Sequence, residues 1–89
     1  MKAKEMFEES KFKLKVTEDD LIYTKNRKAN AICDKAHYFS EIRFDITFKN
    51  ITFESWYILN NMKHYNFTEI SIKEHKAIHE QMKELGWLE

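Results

Sequence analysis

The side chains that could do chemistry are few. His75 and His79 stand four residues apart on what reads as one helix, where both rings could reach a single ion, and Cys33 and His37 show the same spacing. Pooled, the four would make a Cys/His₃ site. The pattern stops short of a metal centre: it has no paired Cys-x-x-Cys element and lacks the His-Glu-x-x-His order of a metalloprotease. Nothing in the spacing fixes the helical pair against the distant cysteine. No metal is therefore expected, and the histidines are expected at surface or rim positions.

Cys33 with His37 could also serve as thiolate and base, but no third group to orient the base and no oxyanion-binding element is legible. A lone cysteine behaves more often as a small buried hydrophobe. Glu18, Asp19 and Asp20 form a charge run of the kind that sits solvated in a turn. The only glycine is Gly86, which rules out a glycine-rich loop for phosphate. The expectation is a protein that is not an enzyme and uses no cofactor. The alternative reading is a nucleic-acid-binding or nucleic-acid-mimicking regulator, in which Lys11, Lys13, Lys15, Lys25, Arg27 and Lys28 would form a phosphate-facing patch. They are few and local, and the aromatics that would stack bases are expected in the core. Exposed lysines on a strand also shield a sheet edge from unwanted pairing.

The elements that would position these residues are easier to read. Eighty-nine residues, 43% hydrophobic and 15% aromatic, fit a single globular domain over 1–89. Fifteen basic residues balance fifteen acidic ones, so no global field draws the chain to polyanions or to a membrane surface. No apolar run is long enough for a membrane span, the N-terminus is too charged for a signal peptide, and a single cysteine suits a reducing compartment. The expected location is the cytoplasm of the host cell. Without proline and with one glycine, tight turns must fall largely to asparagine, which marks Asn26, Asn30, Asn50, Asn60 and Asn61 as the expected bends.

Residues 2–9 place Ala3, Met6 and Phe7 on one side, as a helix of about two turns would. Phe12, Leu14 and Val16 then alternate with lysines, the period of a half-buried strand, and Leu21–Thr24 reads as its hairpin partner. Lys25–Asn30 reads as a basic loop, and Ala31–Ser40 as loop grading into strand. Ile42, Phe44, Ile46 and Phe48 alternate over eight residues, and a loop at Lys49 and Asn50 would pair them with Tyr57, Ser55, Phe53 and Ile51 on one face. Trp56 and Ile58 fall on the opposite face. A turn at Asn60 and Asn61 leads to a weaker strand near His64–Ile70. The last helix is the best marked element: Ser71 and Glu74 form a capping box, Ile78, Met82 and Leu85 make an apolar stripe, and Gly86 ends it with Trp87 folding back. The sum is an α+β domain, an antiparallel sheet of four to five strands carrying a short N-terminal helix and a longer C-terminal one.

Ala3-Lys4-Glu5-Met6-Phe7-Glu8-Glu9 at the start and Glu74-His75-Lys76-Ala77-Ile78 through Glu84-Leu85-Gly86-Trp87 at the finish resemble small uncharacterised phage and prophage proteins of Gram-positive bacteria. Asp20-Leu21-Ile22-Tyr23 and Ile42-Arg43-Phe44-Asp45 match more loosely. In those proteins Leu-Gly-Tyr usually follows the opening helix, where this chain has Ser10-Lys11-Phe12. The resemblance implies a phage accessory protein, and such proteins often bind a host protein, including components of anti-phage defence. The expected role is a non-enzymatic protein-binding module with Trp56, Ile58, Trp87 and Leu88 as contacts and a host or phage protein as partner. A homodimer through an exposed edge or through Trp56 is a further expectation.

Overall fold

A computed structural model describes residues 1–27 and 37–88, with the backbone alone for Arg27. The elements are α1 (Ala3–Glu9), β1 (Lys13–Val16), β2 (Asp20–Arg27), β3 (His37–Asp45), β4 (Asn50–Leu59), β5 (Met62–Tyr65) and α2 (Ile72–Glu84). The strands form one antiparallel sheet in the order β1-β2-β3-β4-β5, so each strand pairs with its neighbour in sequence. The α+β expectation holds at its upper count of five strands. No described helix is long and apolar enough to cross a membrane.

Both helices lie on one face of the sheet. Phe7 of α1 and Ala77 and Ile78 of α2 are buried with Phe12, Tyr23, Ile42 and Phe44. The Phe7 ring stacks on Tyr23 at 3.9 Å between centroids and meets Phe44 edge-on at 6.2 Å. Edge and offset contacts of this kind add roughly 0.5–1.5 kcal/mol each to area burial. Ile22 is also buried, but from the opposite face, where Arg43 stands directly across from it in the sheet. The Arg43 guanidinium reaches Glu41 at 3.6 Å and Asp20 at 4.0 Å.

The helix ends follow from backbone accounting. Ser71 Oγ accepts from Glu74 N–H at 3.1 Å, the expected cap. The Glu74 carboxylate does not complete a capping box: it is buried and faces Lys25 Nζ at 3.9 Å. At the other end Gly86 takes φ +74, its N–H donates to the Lys83 carbonyl, and Trp87 N–H donates to the Met82 carbonyl. That double bond pattern is the Schellman ending. α1 ends the same way, with Lys11 at φ +71 donating to the Glu8 carbonyl and Phe12 donating to that of Phe7. A lysine thus fills a left-handed position that glycine takes at less cost. Ala3 N–H at the head of α1 donates to Glu84 Oε2 at 2.7 Å, so the last turn of α2 caps the first turn of α1.

Several sequence expectations shift. The β3–β4 hairpin keeps its faces but pairs Phe44 with Ile51, Ile42 with Phe53, Ser40 with Ser55 and Tyr38 with Tyr57, four residues from the expected register. Its turn is Ile46–Lys49, because Asp45 Oδ1 accepts from Phe48 N–H at 2.9 Å and Ile46 N–H is tied to the Asp19 carbonyl at 2.8 Å. Lys49 takes the left-handed conformation there, φ +57, and Asn50 opens β4. Asn26 lies inside β2, and Lys25 belongs to that strand, which carries on to Arg27 where a basic loop was expected. Asn60 and Asn61 do make the expected turn, both with positive φ, as a two-residue hairpin loop requires. β5 therefore starts directly at Met62 and ends at Tyr65, earlier than expected at both ends. Asn30 lies outside the described residues.

Candidate protein-binding face

β3, β4 and β5 carry two rows of aromatic residues that stand apart from the buried cluster. Side chains alternate between faces along a strand, and directly paired residues share one. Ile42 faces the helices, so Phe39 faces away from them. Its partner Trp56, and Tyr65 beyond Trp56, share that outer face. Tyr38, Tyr57 and His64 form the matching row on the helix side. The buried cluster and the residues packed on it draw on Leu14, Leu21, Tyr23, Ile42, Phe44 and Ile51, and none of these six aromatics belongs to it. Ser40 and Ser55, buried and 3.2 Å apart between hydroxyl oxygens, mark the border.

The outer row is ordered by its own contacts. Phe39 and Trp56 stack at 5.7 Å with their planes 20° apart. Lys63 folds its ammonium over Trp56 at 4.6 Å and over Tyr65 at 5.0 Å from the ring centroids. Phe39, Trp56 and Ile58 remain half-buried, and Tyr65 is 68% exposed. No described helix lies on this side. The arrangement offers flat apolar area and one cation laid over two rings, with His37, Glu41 and Glu54 on the same face beside it. On the inner row, Tyr38 and Tyr57 lie 5.4 Å apart and Tyr57 stacks on His64 at 4.9 Å.

Of the four contact residues expected from sequence, two meet on this face. Trp56 and Ile58 both lie there, Ile58 paired with Lys63. Trp87 is on the helix side, 6.2 Å from Phe44 between ring centroids and packed on the buried cluster, and Leu88 follows it, partly exposed. The structure adds Phe39, Lys63 and Tyr65. Tyr65 was available as an alternating aromatic, whereas Phe39 sits in a stretch with no clear period.

Of the six basic residues, those whose side chains are described do not gather on one surface. Lys13 and Lys15 are exposed on the outer face of β1, across from Thr24 and Ile22. Lys25 pairs with Ser40 on the helix side, where it meets Glu74 and lies 5.1 Å over Phe12. Lys11 is in the turn after α1, Arg27 ends β2, and Lys28 lies outside the described residues. Of the chemistry-bearing set, His75 and His79 are exposed on α2 and His37 is exposed at the start of β3, while Cys33 lies outside the described residues. Among the described residues no three His, Cys, Asp or Glu side chains could hold a metal ion. An open groove between α1 and β1 is lined by Lys4, Glu8, Lys11, Phe12, Lys13 and Leu14.

One buried titratable group is strongly shifted. Burial, then the nearby charges of Glu84 and Glu8, push the Tyr23 hydroxyl up to about 12. It donates to Gln81 Oε1 at 2.5 Å, a buried bond between sheet and α2. Tyr23 is thus a structural group. No family model, curated protein or solved structure matches the chain.

Proposed function

We propose that the chain is a small phage-type accessory protein that acts without catalysis, by occupying a surface of another protein. The observation that carries this reading is the outer row of Phe39, Trp56 and Tyr65 with Lys63 laid across it. Large aromatics held flat beside a cation lose little side-chain freedom on contact, which is why such groups dominate interface energies. The similarity of the two chain ends to phage and prophage proteins points to a host protein as partner, with anti-phage defence components as the first class to try.

The test has two steps. The tagged chain is first used to capture proteins from a Gram-positive host at physiological salt. The complex is then rebuilt from purified components and titrated with Trp56→Ala and Trp87→Ala variants. A defined complex that Trp56→Ala weakens at least about tenfold, the 1.4 kcal/mol minimum for a contact of consequence, with Trp87→Ala weakening it far less, supports the reading. Capture of no partner, or a complex indifferent to Trp56→Ala, overturns it.

A further inference from the structure

We propose that β5 is a self-pairing edge, and that two copies of the chain join through it across a two-fold axis at His64, continuing the sheet from one copy into the next. This goes beyond the protein-binding reading and does not rest on it. The sheet has two outer strands, and they are built differently. β1 carries Lys13 and Lys15, preceded by Lys11, all exposed, the usual protection of an edge. β5 reads Met62-Lys63-His64-Tyr65. Its single lysine is folded back over Trp56 and Tyr65, while Met62 is 63% exposed.

The ladder decides which groups are free. Asn66 N–H donates to the Ser55 carbonyl at 2.8 Å. Hydrogen-bonded and non-bonded pairs alternate in an antiparallel ladder, so Tyr57–His64 is a bonded pair, whereas Trp56–Tyr65 and Ile58–Lys63 are not. The N–H and C=O groups of Lys63 and Tyr65 therefore point out of the sheet. A two-fold pairing that keeps both copies' faces aligned must place a residue on the axis. With Lys63 there, two ammonium groups stand directly opposite, which is destabilising. With Tyr65 there, Lys63 must bond to Phe67, whose N–H is already given to Asn66 Oδ1 at 2.8 Å. With His64 on the axis, Lys63 and Tyr65 of each copy exchange bonds with Tyr65 and Lys63 of the other. Each ammonium then faces a second tyrosine ring, a cation–π contact made twice. Four residues per edge bury less than the roughly 1,200–2,000 Å² of a stable interface, so the pair should depend on concentration.

Engineered cysteines test the register. In a Cys33→Ser background, His64→Cys places the two sulfurs in a non-bonded pair with Cα atoms about 4.5 Å apart, within disulfide reach. Lys63→Cys places its two copies diagonally, about 8 Å apart, beyond that reach. The expected result is a disulfide-linked dimer from His64→Cys and none from Lys63→Cys or the control Lys13→Cys. The Cys33→Ser chain itself should shift with concentration from the 10.9 kDa monomer toward twice that mass, a shift that Tyr65→Lys abolishes by setting like charges opposite. A chain that stays monomeric at every concentration overturns self-pairing, and so does an edge that accepts only a foreign extended peptide. Cross-linking of Lys63→Cys in place of His64→Cys overturns the His64 axis.

Discussion

The two halves of the sheet use aromatic residues in opposite ways. Toward the β3–β4 turn, Phe44 and Tyr23 are shut between sheet and helices, with Phe7 stacked on Tyr23 and Trp87 against Phe44. Past Ser40 and Ser55, Phe39, Trp56 and Tyr65 line a face that no described helix covers. The difference teaches that aromatic content does not report core size. Stability should reside in the covered half and recognition in the open one.

The largest effect expected is in the covered half. Phe44→Ala empties a fully buried site and should cost about 3–5 kcal/mol, a large part of the roughly 5–15 kcal/mol that a domain possesses. Urea unfolding measures it, and a small loss would break the comparison at once. Next comes Tyr23, whose neutral form is favoured by the fold. Its contribution is complete below pH 10, its ordinary value, and is lost as pH rises through about 12. On the order of 2–3 kcal/mol should disappear across that window. Tyr23→Phe should flatten the alkaline limb of the stability profile while lowering stability at neutral pH by about 1–3 kcal/mol, since Gln81 is left buried without its donor.

Two smaller changes sharpen the contrast by acting through the helices alone. Ser71→Ala removes the α2 cap and should cost about 1 kcal/mol. Lys11→Gly should do the reverse: relief of the left-handed backbone, less the extra chain entropy of glycine, should stabilise by about 0.5–1 kcal/mol. Thermal unfolding resolves both, at about 4–8 °C per kcal/mol for a domain of this size.

How much of this was legible follows residue by residue. α2 was readable at both ends because Ser71 and Gly86 are local signals whose chemistry needs no tertiary partner. The outward facing of Trp56 and Ile58 was readable because alternation preserves face under any even shift. The same property hid the β3–β4 register: moving it by four residues leaves every face unchanged. The choice was made by Asp45 and by a bond from Ile46 to Asp19 in the neighbouring turn, a non-local contact. Phe48, 74% exposed, shows that apolar alternation can run on past the core. Phe39 and Lys63 were illegible as site residues because their roles come from cross-strand register with Trp56 and Tyr65. The split of the lysines between two faces has the same origin.

The division of labour between the two halves is tested most directly by the unfolding free energy of Trp56→Ala in urea, set beside that of Phe44→Ala. One aromatic pair and one cation–π contact are lost at Trp56, about 1–2 kcal/mol together. The account predicts a cooperative transition with that modest loss, well below the loss from Phe44→Ala. A Trp56→Ala variant as unstable as Phe44→Ala would contradict it, because the outer row would then be core.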